Sequence, residues 1–460
     1  MSPSLAEVFF LGLILALFWL DRNRQSRVSP LLWIPVLWFL IACSRPVSEW
    51  IEGSSSFASA EEVADGSPMD RLIFTGFLLL GIAILALRSS KVLALLRSNA
   101  SIVLFFLYCA LSLLWSDFPD VGFKRLTKAI GDLVMILIVL SEPEPLAAIE
   151  RLIARTAYLL IPLSVLLIKY FPDLGVQYSP WGGKPDYRGV TANKNSLGCI
   201  CLCLGLGLVW RLIAAYRNRD LEGRKRHMAA LCLTLGMILY LFRIANSMTS
   251  LNTFVMASLL LLAANLRRAI RRPVIVHVLV LAMLAVSASV VFLGASPDVL
   301  RAMGRNPTLT DRTEVWGVLL TLVQNPLLGT GFETFWLGPR LAKMWDLYWW
   351  RPNEAHNGYL EIYINLGWVG IALLAIVILV GYQTVFRAWR RNPAIASLFL
   401  AYFFVGLVFN FTEAAFFRMQ APAWMFFLLA ITRWPKLPAA KAQVPTERVR
   451  VPQETLACSA

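Results

Sequence analysis

Long apolar runs separated by shorter polar connections follow one another along the whole chain. A helix that crosses a bilayer needs about 17–25 mostly apolar residues, so the pattern predicts an all-α polytopic membrane protein with about 12–13 transmembrane helices. The predicted runs are Leu5–Leu20, Leu31–Cys43, Leu72–Leu87, Ile102–Trp115, Thr127–Leu140, Leu152–Ile168, Leu197–Ala214, Ala229–Ala245, Leu251–Ala264, Val274–Leu293, Tyr359–Gly381, Ala394–Phe411 and Met419–Thr432.

Composition supports the membrane class and affects how the positive net charge is interpreted. Of 460 residues, 58% are hydrophobic and only 15% are charged, a balance that excludes an ordinary water-soluble domain. The formal net charge is +15, but the basic residues cluster between apolar runs. Such clusters set membrane topology, so we predict no binding of nucleic acid.

The positive-inside rule favours an orientation in which the first apolar run starts outside the cytoplasm. The long polar connections at 45–71, 169–195 and 294–358 then lie outside as well. We expect a helical membrane domain over 1–435, in which the large extracytoplasmic loop 294–358 contains short helices and forms part of the active site. The tail at 436–460 is rich in Ala and Pro and is predicted to be disordered and cytoplasmic.

The first candidate binding segment runs directly into an apolar helix and contains Arg188, Asn193 and Lys194. Free backbone N–H groups and the helix dipole favour an anion at a helix N-terminus. Arg188 can offer bidentate contacts to a phosphate, and Lys194 can offer a point charge. The alternative is that both cations only anchor the helix at the lipid headgroups.

The second candidate is Arg312, in the first turn of a predicted helix that lies on the membrane surface. It would lie beside the unsatisfied N–H groups at the start of that helix. The alternative is a salt bridge from Arg312 to Asp311 or Glu314.

The third candidate is His356, the one histidine of three that is predicted at the outer mouth of a membrane helix. Imidazole suits a general base because its unperturbed pKa is close to neutral. Asn357 follows it, and Tyr359 lies on the same helical face, where it could stack on a sugar or a lipid. The alternative is that His356 is a polar anchor at the interface.

The sequence predicts neither a metal nor a cofactor. Asp117 and Asp120 are the nearest match to an acidic metal motif in an outer loop, but Pro119 interrupts them. The chain has no glycine-rich nucleotide loop, so a nucleotide-sugar donor has no binding segment.

Three segments in this order resemble the O-antigen ligase and polymerase superfamily, most closely its exopolysaccharide-polymerase-like branch. They cover the chain from about residue 110 to 415, and Trp115-Ser116 followed by Pro119 adds a weaker match. The matching segments are Arg188 to Asn195, Asp311-Arg312 with Trp316 and Asn325 to Phe332, and His356 to Gly367.

The resemblance implies an undecaprenyl-diphosphate-linked glycan as donor, a sugar hydroxyl as acceptor, inversion at the anomeric carbon and no metal. Arg188 and Arg312 resemble the family's diphosphate-binding arginines, and His356 resembles its essential histidine. Where relatives often carry a basic residue before a Thr, this chain has Met248. Arg243, on the same hairpin, is the candidate substitute.

We therefore expect a glycosyltransferase of the bacterial inner membrane with its active site facing the periplasm, polymerising repeat units of an exopolysaccharide or O-antigen. Expected partners are the lipid-linked donor, a glycan or lipid-linked glycan acceptor, membrane lipid and other polysaccharide-assembly proteins.

Three alternatives remain open. The first is a ligase that transfers finished glycan to lipid A core, since the motifs are shared by both enzymes. The second is a transporter or lipid flippase, although such proteins place ionisable groups near the bilayer midplane and the apolar runs contain almost none. The third is a scaffold for an assembly complex, which gives no reason for His356 and the clustered cations.

Overall fold

The computed structural model describes residues 2–22, 27–53, 66–178, 183, 185–292, 309–418 and 421–434, and at 52, 290–292 and 309–313 it describes the backbone alone. Almost every described element is helical, as the apolar runs predict. The helices of the first half are α1 (Pro3–Leu20), α2 (Trp33–Ala42), α3 (Val47–Glu52), α4 (Pro68–Leu87), α5 (Ser89–Ser98), α6 (Ala100–Ser112), α7 (Pro119–Ser141), α8 (Pro145–Tyr170) and α9 (Pro172–Gly175).

The second half continues the helical pattern after one short β-hairpin. Its helices are α10 (Lys194–Arg217), α11 (Arg224–Ala245), α12 (Met248–Ala264), α13 (Arg267–Arg271), α14 (Val274–Phe292), α15 (Leu309–Thr321), α16 (Gly338–Leu347), α17 (Gly358–Arg391), α18 (Pro393–Phe409) and α19 (Pro422–Ile431). The hairpin pairs β1 (Val176–Tyr178) with β2 (Pro185–Tyr187) in antiparallel register. Single 3₁₀ turns cover Pro30–Leu32 and Leu113–Trp115.

Each predicted apolar run falls on a helix, which confirms the all-α polytopic class. Within the described residues, six helices are long and apolar enough to cross a membrane, namely α1, α4, α8, α10, α11 and α17. The pair α5 and α6 is bent by 87° and, taken as one span, gives a seventh. The other runs form shorter helices or, in α7, a helix that begins with charged residues.

The large loop contains short helices, as predicted, in α15 and α16. Its residues 293–308 and the predicted tail at 436–460 lie outside the described residues.

Helix α10 is the centre of the bundle, packed by α8, α11 and α12. From Leu197 to Leu208 its residues are buried on all sides, as expected of a helix that is apolar around its whole circumference. A Cβ added at Gly198 would lie 2.7 Å from the side chain of Ser247, and one at Gly207 would lie 2.6 Å from that of Ile153. Glycine therefore lets the neighbouring helices approach α10 closely.

A break inside α17 positions the large loop. Gly367 has φ 63° and ψ −163°, and a Cβ there would lie 2.2 Å from the carbonyl oxygen of Leu327. The amide of Trp368 donates to Pro326, and the amide of Gly331 donates to Asn365. Backbone groups freed by the break are thus satisfied by the loop, which is fixed against the helix.

A close contact between α2 and α7 offers a test of the packing. A Cβ at Gly131 would lie 2.2 Å from the indole of Trp38, which is fully buried and donates its Nε1 proton to Asp132 at 2.8 Å. We expect Gly131→Ala to lower the free energy of unfolding by about 1–3 kcal/mol, because the indole has to move. Thermal unfolding in detergent measures this change.

Gly76→Ala in α4 is the matched control, since an added Cβ there meets nothing within 4 Å. Equal melting temperatures for the two variants would contradict the packing of Trp38 against Gly131.

Candidate functional site

A cavity of about 550 Å³ opens where loops distant in sequence meet at one end of the bundle. Its wall includes the end of α2, the first turns of α7 and α10, the segment before α17 and the loop between α18 and α19. The charged residues of the wall are Arg125, Lys128, Glu333, Glu354, His356, Glu413 and Arg418.

His356 occupies a strained turn at this cavity. Its backbone has φ 50°, a conformation that is uncommon for residues other than glycine. The Oδ1 atom of Asn357 then accepts the amides of Tyr359 and Leu360, which caps α17. A Cβ at Gly358 would lie 1.9 Å from Asn410 Oδ1, so only glycine fits after the cap. Strained residues of this kind are concentrated at functional sites.

Two carboxylates face the same nitrogen of His356. Its Nδ1 lies 2.9 Å from Glu354 Oε1 and 3.4 Å from Glu413 Oε2. Burial alone would lower the pKa of the imidazole, but the hydrogen bonds and charges of the two carboxylates outweigh it and raise the pKa to about 10. At neutral pH the ring is therefore an imidazolium.

Arg418 ties these groups together. Its guanidinium contacts Glu354, and its Nε lies 3.5 Å from Glu333 and its Nη2 3.4 Å from Glu361. Burial acts against the charge of Arg418, yet the three carboxylates raise its pKa above the usual arginine value. The loop between α18 and α19 is thereby tied to the start of α17.

Glu361 and Asn410 hold the backbone around this network. Glu361 accepts the amide of Ala355 at 2.6 Å and the indole N–H of Trp336 at 2.9 Å. Asn410 Oδ1 accepts the amides of Ala415 and Phe416. These bonds fix the backbone on both sides of His356 and of the loop that carries Glu413.

Two cations of the wall form no salt bridge with a carboxylate among the described residues, although the charge of Glu333 acts on Arg125 and that of Asp70 acts on Lys128. Arg125 donates to the backbone carbonyl of Glu333, and the ammonium of Lys128 lies 5.7 Å from the ring centroid of Phe74. They are three residues apart on α7 and so share one face of the helix. The cavity therefore offers two positive charges to an anionic guest.

Of the predicted site residues, His356 and Asn193 line the cavity. Asn193 also caps α10 by accepting the amide of Ser196 at 2.9 Å. Its neighbour Asn195 lines the cavity as well and donates to Glu413 Oε1 at 3.1 Å. The segment predicted to bind phosphate and His356 thus meet at one site.

The side chains of Arg188 and Lys194 do not line the cavity. Arg188 is buried, lies 3.5 Å from Glu49 and donates its Nε–H to the carbonyl of Leu174. Lys194 forms an ion pair with Asp186 at 2.8 Å. Their role in binding a diphosphate stays a prediction.

The other predicted residues either lie away from the cavity wall or have side chains outside the described residues. Arg312 belongs to α15, where its side chain lies outside the described residues. Tyr359 donates its hydroxyl to Leu407 and packs against Phe411. Arg243 is exposed near the end of α11 and is not part of the cavity wall.

The sequence prediction missed Arg125, Lys128, Glu413 and Arg418. Arg125 and Lys128 had a usable signal, since they are three residues apart near the start of a predicted helix. Glu413 and Arg418 had none, because their partners lie more than fifty residues away in sequence.

One group within the described residues could hold a divalent cation. Glu354, His356 and Glu413 offer ligand atoms that all lie within 4.8 Å of one another. The guanidinium of Arg418 contacts Glu354, so an ion would meet an adjacent positive charge. To coordinate the ion, the imidazole would also have to lose its proton, which the charges of the two carboxylates stabilise on the ring.

The fold and the cavity define a multi-pass membrane protein with a charged site at one end of its helices. A family described as O-antigen ligase matches residues 233–375, which include Arg312 and His356. The chain is also similar to the exopolysaccharide production protein ExoQ of Rhizobium meliloti (strain 1021), with 24% identity over 307 residues. That match covers 64% of this chain and 66% of the relative. Both findings confirm the resemblance to the O-antigen ligase superfamily and its exopolysaccharide branch.

Proposed function

We propose that the protein is a metal-independent glycosyltransferase that transfers an undecaprenyl-diphosphate-linked glycan to a sugar hydroxyl during polysaccharide assembly. The observation that supports this most is the cavity itself, whose wall combines the imidazolium of His356, the carboxylate of Glu413 and the two cations of α7. This combination suits a reaction that expels a diphosphate and removes a hydroxyl proton.

The proposed location is the bacterial inner membrane, with the cavity facing the periplasm. Helix α10 begins at the cavity and ends at Arg217, close to the basic start of α11. Its 24 residues extend about 36 Å, enough to cross a bilayer. The positive-inside rule puts the arginine-rich end in the cytoplasm and the cavity outside.

The donor is proposed to bind with its diphosphate at Arg125 and Lys128. Arg188, Lys194 and Arg312 are kept as further diphosphate ligands on the strength of the family resemblance. The cavity wall also includes apolar side chains such as Ile200 and Phe409. Through this wall the polyprenyl tail would pass between the helices into the lipid.

In the proposed reaction the acceptor oxygen attacks the anomeric carbon from the face opposite the diphosphate. The C–O bond to the diphosphate breaks, its electron pair stays on the leaving oxygen, and the configuration inverts. His356 donates an N–H to the leaving group, because an imidazolium is a poor base. The hydroxyl proton passes to Glu413, the wall carboxylate that has no contact with Arg418.

Polymerisation of repeat units is the preferred activity, and the name of the relative, an exopolysaccharide production protein, supports it. The second candidate is ligation of finished glycan to lipid A core, which the description of the matching family as O-antigen ligase favours. In cells lacking the protein, loss of long chains with a single repeat retained indicates a polymerase. Loss of every repeat from the lipid core indicates a ligase.

Reconstitution with a synthetic polyprenyl-diphosphate glycan tests the proposal directly. We expect longer glycan products without added nucleotide and in the presence of EDTA. His356→Ala and Glu413→Gln should each reduce the product at least about a hundredfold, the scale on which acid–base groups contribute. Gel analysis of labelled glycan measures the product.

His277→Ala is the matched control, since His277 contacts Tyr382 in the helical bundle and is not part of the cavity wall. Full activity of the His356 variant, with normal membrane insertion, would remove this histidine from the mechanism.

The protonation state of His356 gives a second test. Its pKa is raised from 6.5 to about 10, so the donor form persists at neutral pH and is lost as the pH rises through about 10. We expect the turnover rate to be flat between pH 7 and 9 and to fall above 10. A rate that increases about tenfold per pH unit up to pH 10 would instead identify the imidazole as the base.

The two cations of α7 give a third test. Arg125→Gln or Lys128→Gln should raise the KM for the lipid-linked donor about tenfold or more, because a charged hydrogen bond contributes about 1.5–3 kcal/mol. Lys124→Gln is the matched control, since Lys124 is on the same helix but is not part of the cavity wall. An unchanged donor KM in both α7 variants would place the diphosphate elsewhere.

A further inference from the structure

A second cavity, of about 450 Å³, lies at the opposite end of α10 from the first. Asn195 and Ser196, at the start of α10, line the first cavity, and Ala214 and Ala215, near its end, line the second. The end of α1, the beginning of α8 and the connection from α10 to α11 complete the wall. This cavity plays no part in the proposed transfer reaction.

One buried carboxylate in the wall of this cavity contacts two basic side chains. Arg211 contacts the two oxygens of Asp21 at 3.0 Å each, and His227 Nδ1 contacts the same carboxylate. Arg211 is only 7% exposed, and its buried Nε has no hydrogen-bond partner. One N–H group of Arg211 is thus left unpaired beside the cavity.

Two further arginines stand at the rim. The guanidinium of Arg226 lies 5.6 Å from the ring centroid of Trp19, which is 54% exposed at the end of α1. Arg22 is exposed as well, and its guanidinium forms no ion pair with the described residues. An exposed tryptophan at a helix end is typical of the membrane–water boundary. This arrangement suits a cavity mouth at the depth of the lipid headgroups.

The wall is basic overall but not uniformly so. It carries Arg22, Arg151, Arg211, Arg226 and His227 against Asp21, Glu150 and Glu222. Arg151 and Glu222 have partners of their own. The remaining excess of guanidinium groups favours an anion, and Glu150 can accept a hydrogen bond from a hydroxyl in an uncharged part of the same ligand.

We propose that this second cavity binds a phosphate group, carried by an anionic membrane phospholipid or by free phosphate. Guanidinium groups match phosphate oxygens in geometry and charge. Basic pockets between transmembrane helices on the cytoplasmic side are suited to anionic headgroups. The proposal is independent of the transfer reaction, because the two cavities share no residue.

Native mass spectrometry of the full chain in detergent tests this site. We expect the protein to retain phosphatidylglycerol, and the double variant Arg22→Gln with Arg226→Gln to bind it at least about tenfold more weakly. Neither arginine is buried, so the variant should keep the melting temperature of the parent protein. Arg268→Gln is the matched control, an exposed arginine in α13 that is not part of either cavity wall.

A parallel titration with inorganic phosphate distinguishes the two sources. Variant-sensitive binding of phosphatidylglycerol alone identifies a lipid, and variant-sensitive binding of inorganic phosphate identifies a soluble ion. Both results support the site. Equal binding of each probe by the parent protein and the double variant would overturn it, whatever the outcome of the glycan-transfer assay.

Discussion

The ion-pair network of His356, Glu354 and Arg418 determines how the separate parts of the site are held together. Arg418 comes from the loop after α18, and its carboxylate partners come from the large loop and the start of α17. No backbone sheet or disulfide joins these segments in the described residues. Their relative positions depend on this charge pairing, on the amide hydrogen bonds around Glu361 and Asn410, and on the backbone hydrogen bonds that fix the large loop against α17.

Such a network is stabilising only while it is complete. Removing one partner of an ion pair that is shielded from water is destabilising, because the remaining charge is left without compensation. The same electrostatics determine the chemistry of the site. A histidine between two carboxylates retains its proton, whereas the two cations of α7, which form no salt bridge with the described residues, remain available to an anion. The same ion pairs thus hold the cavity together and determine the charges available for the proposed chemistry.

Much of the fold could be predicted from the sequence because the bilayer restricts the choices. An apolar run in lipid has to satisfy its own backbone, so each run indicated a helix. The break at Gly367 was not predictable, since it depends on contacts with Pro326 and Leu327 forty residues earlier. The apolar pattern also placed the start of α7 too late, because Arg125 interrupts it.

The site was predictable only where one segment carries the signal. His356 and Asn193 stand at recognisable helix starts, and both line the cavity. The pairing of Arg188 with Glu49 spans 139 residues, and that of Asn195 with Glu413 spans 218. Such contacts decide whether a cation is free or neutralised, and a local motif contains no information about them. Sequence patterns therefore indicate which residues could act, whereas long-range pairing decides which of their charges remain available to a substrate.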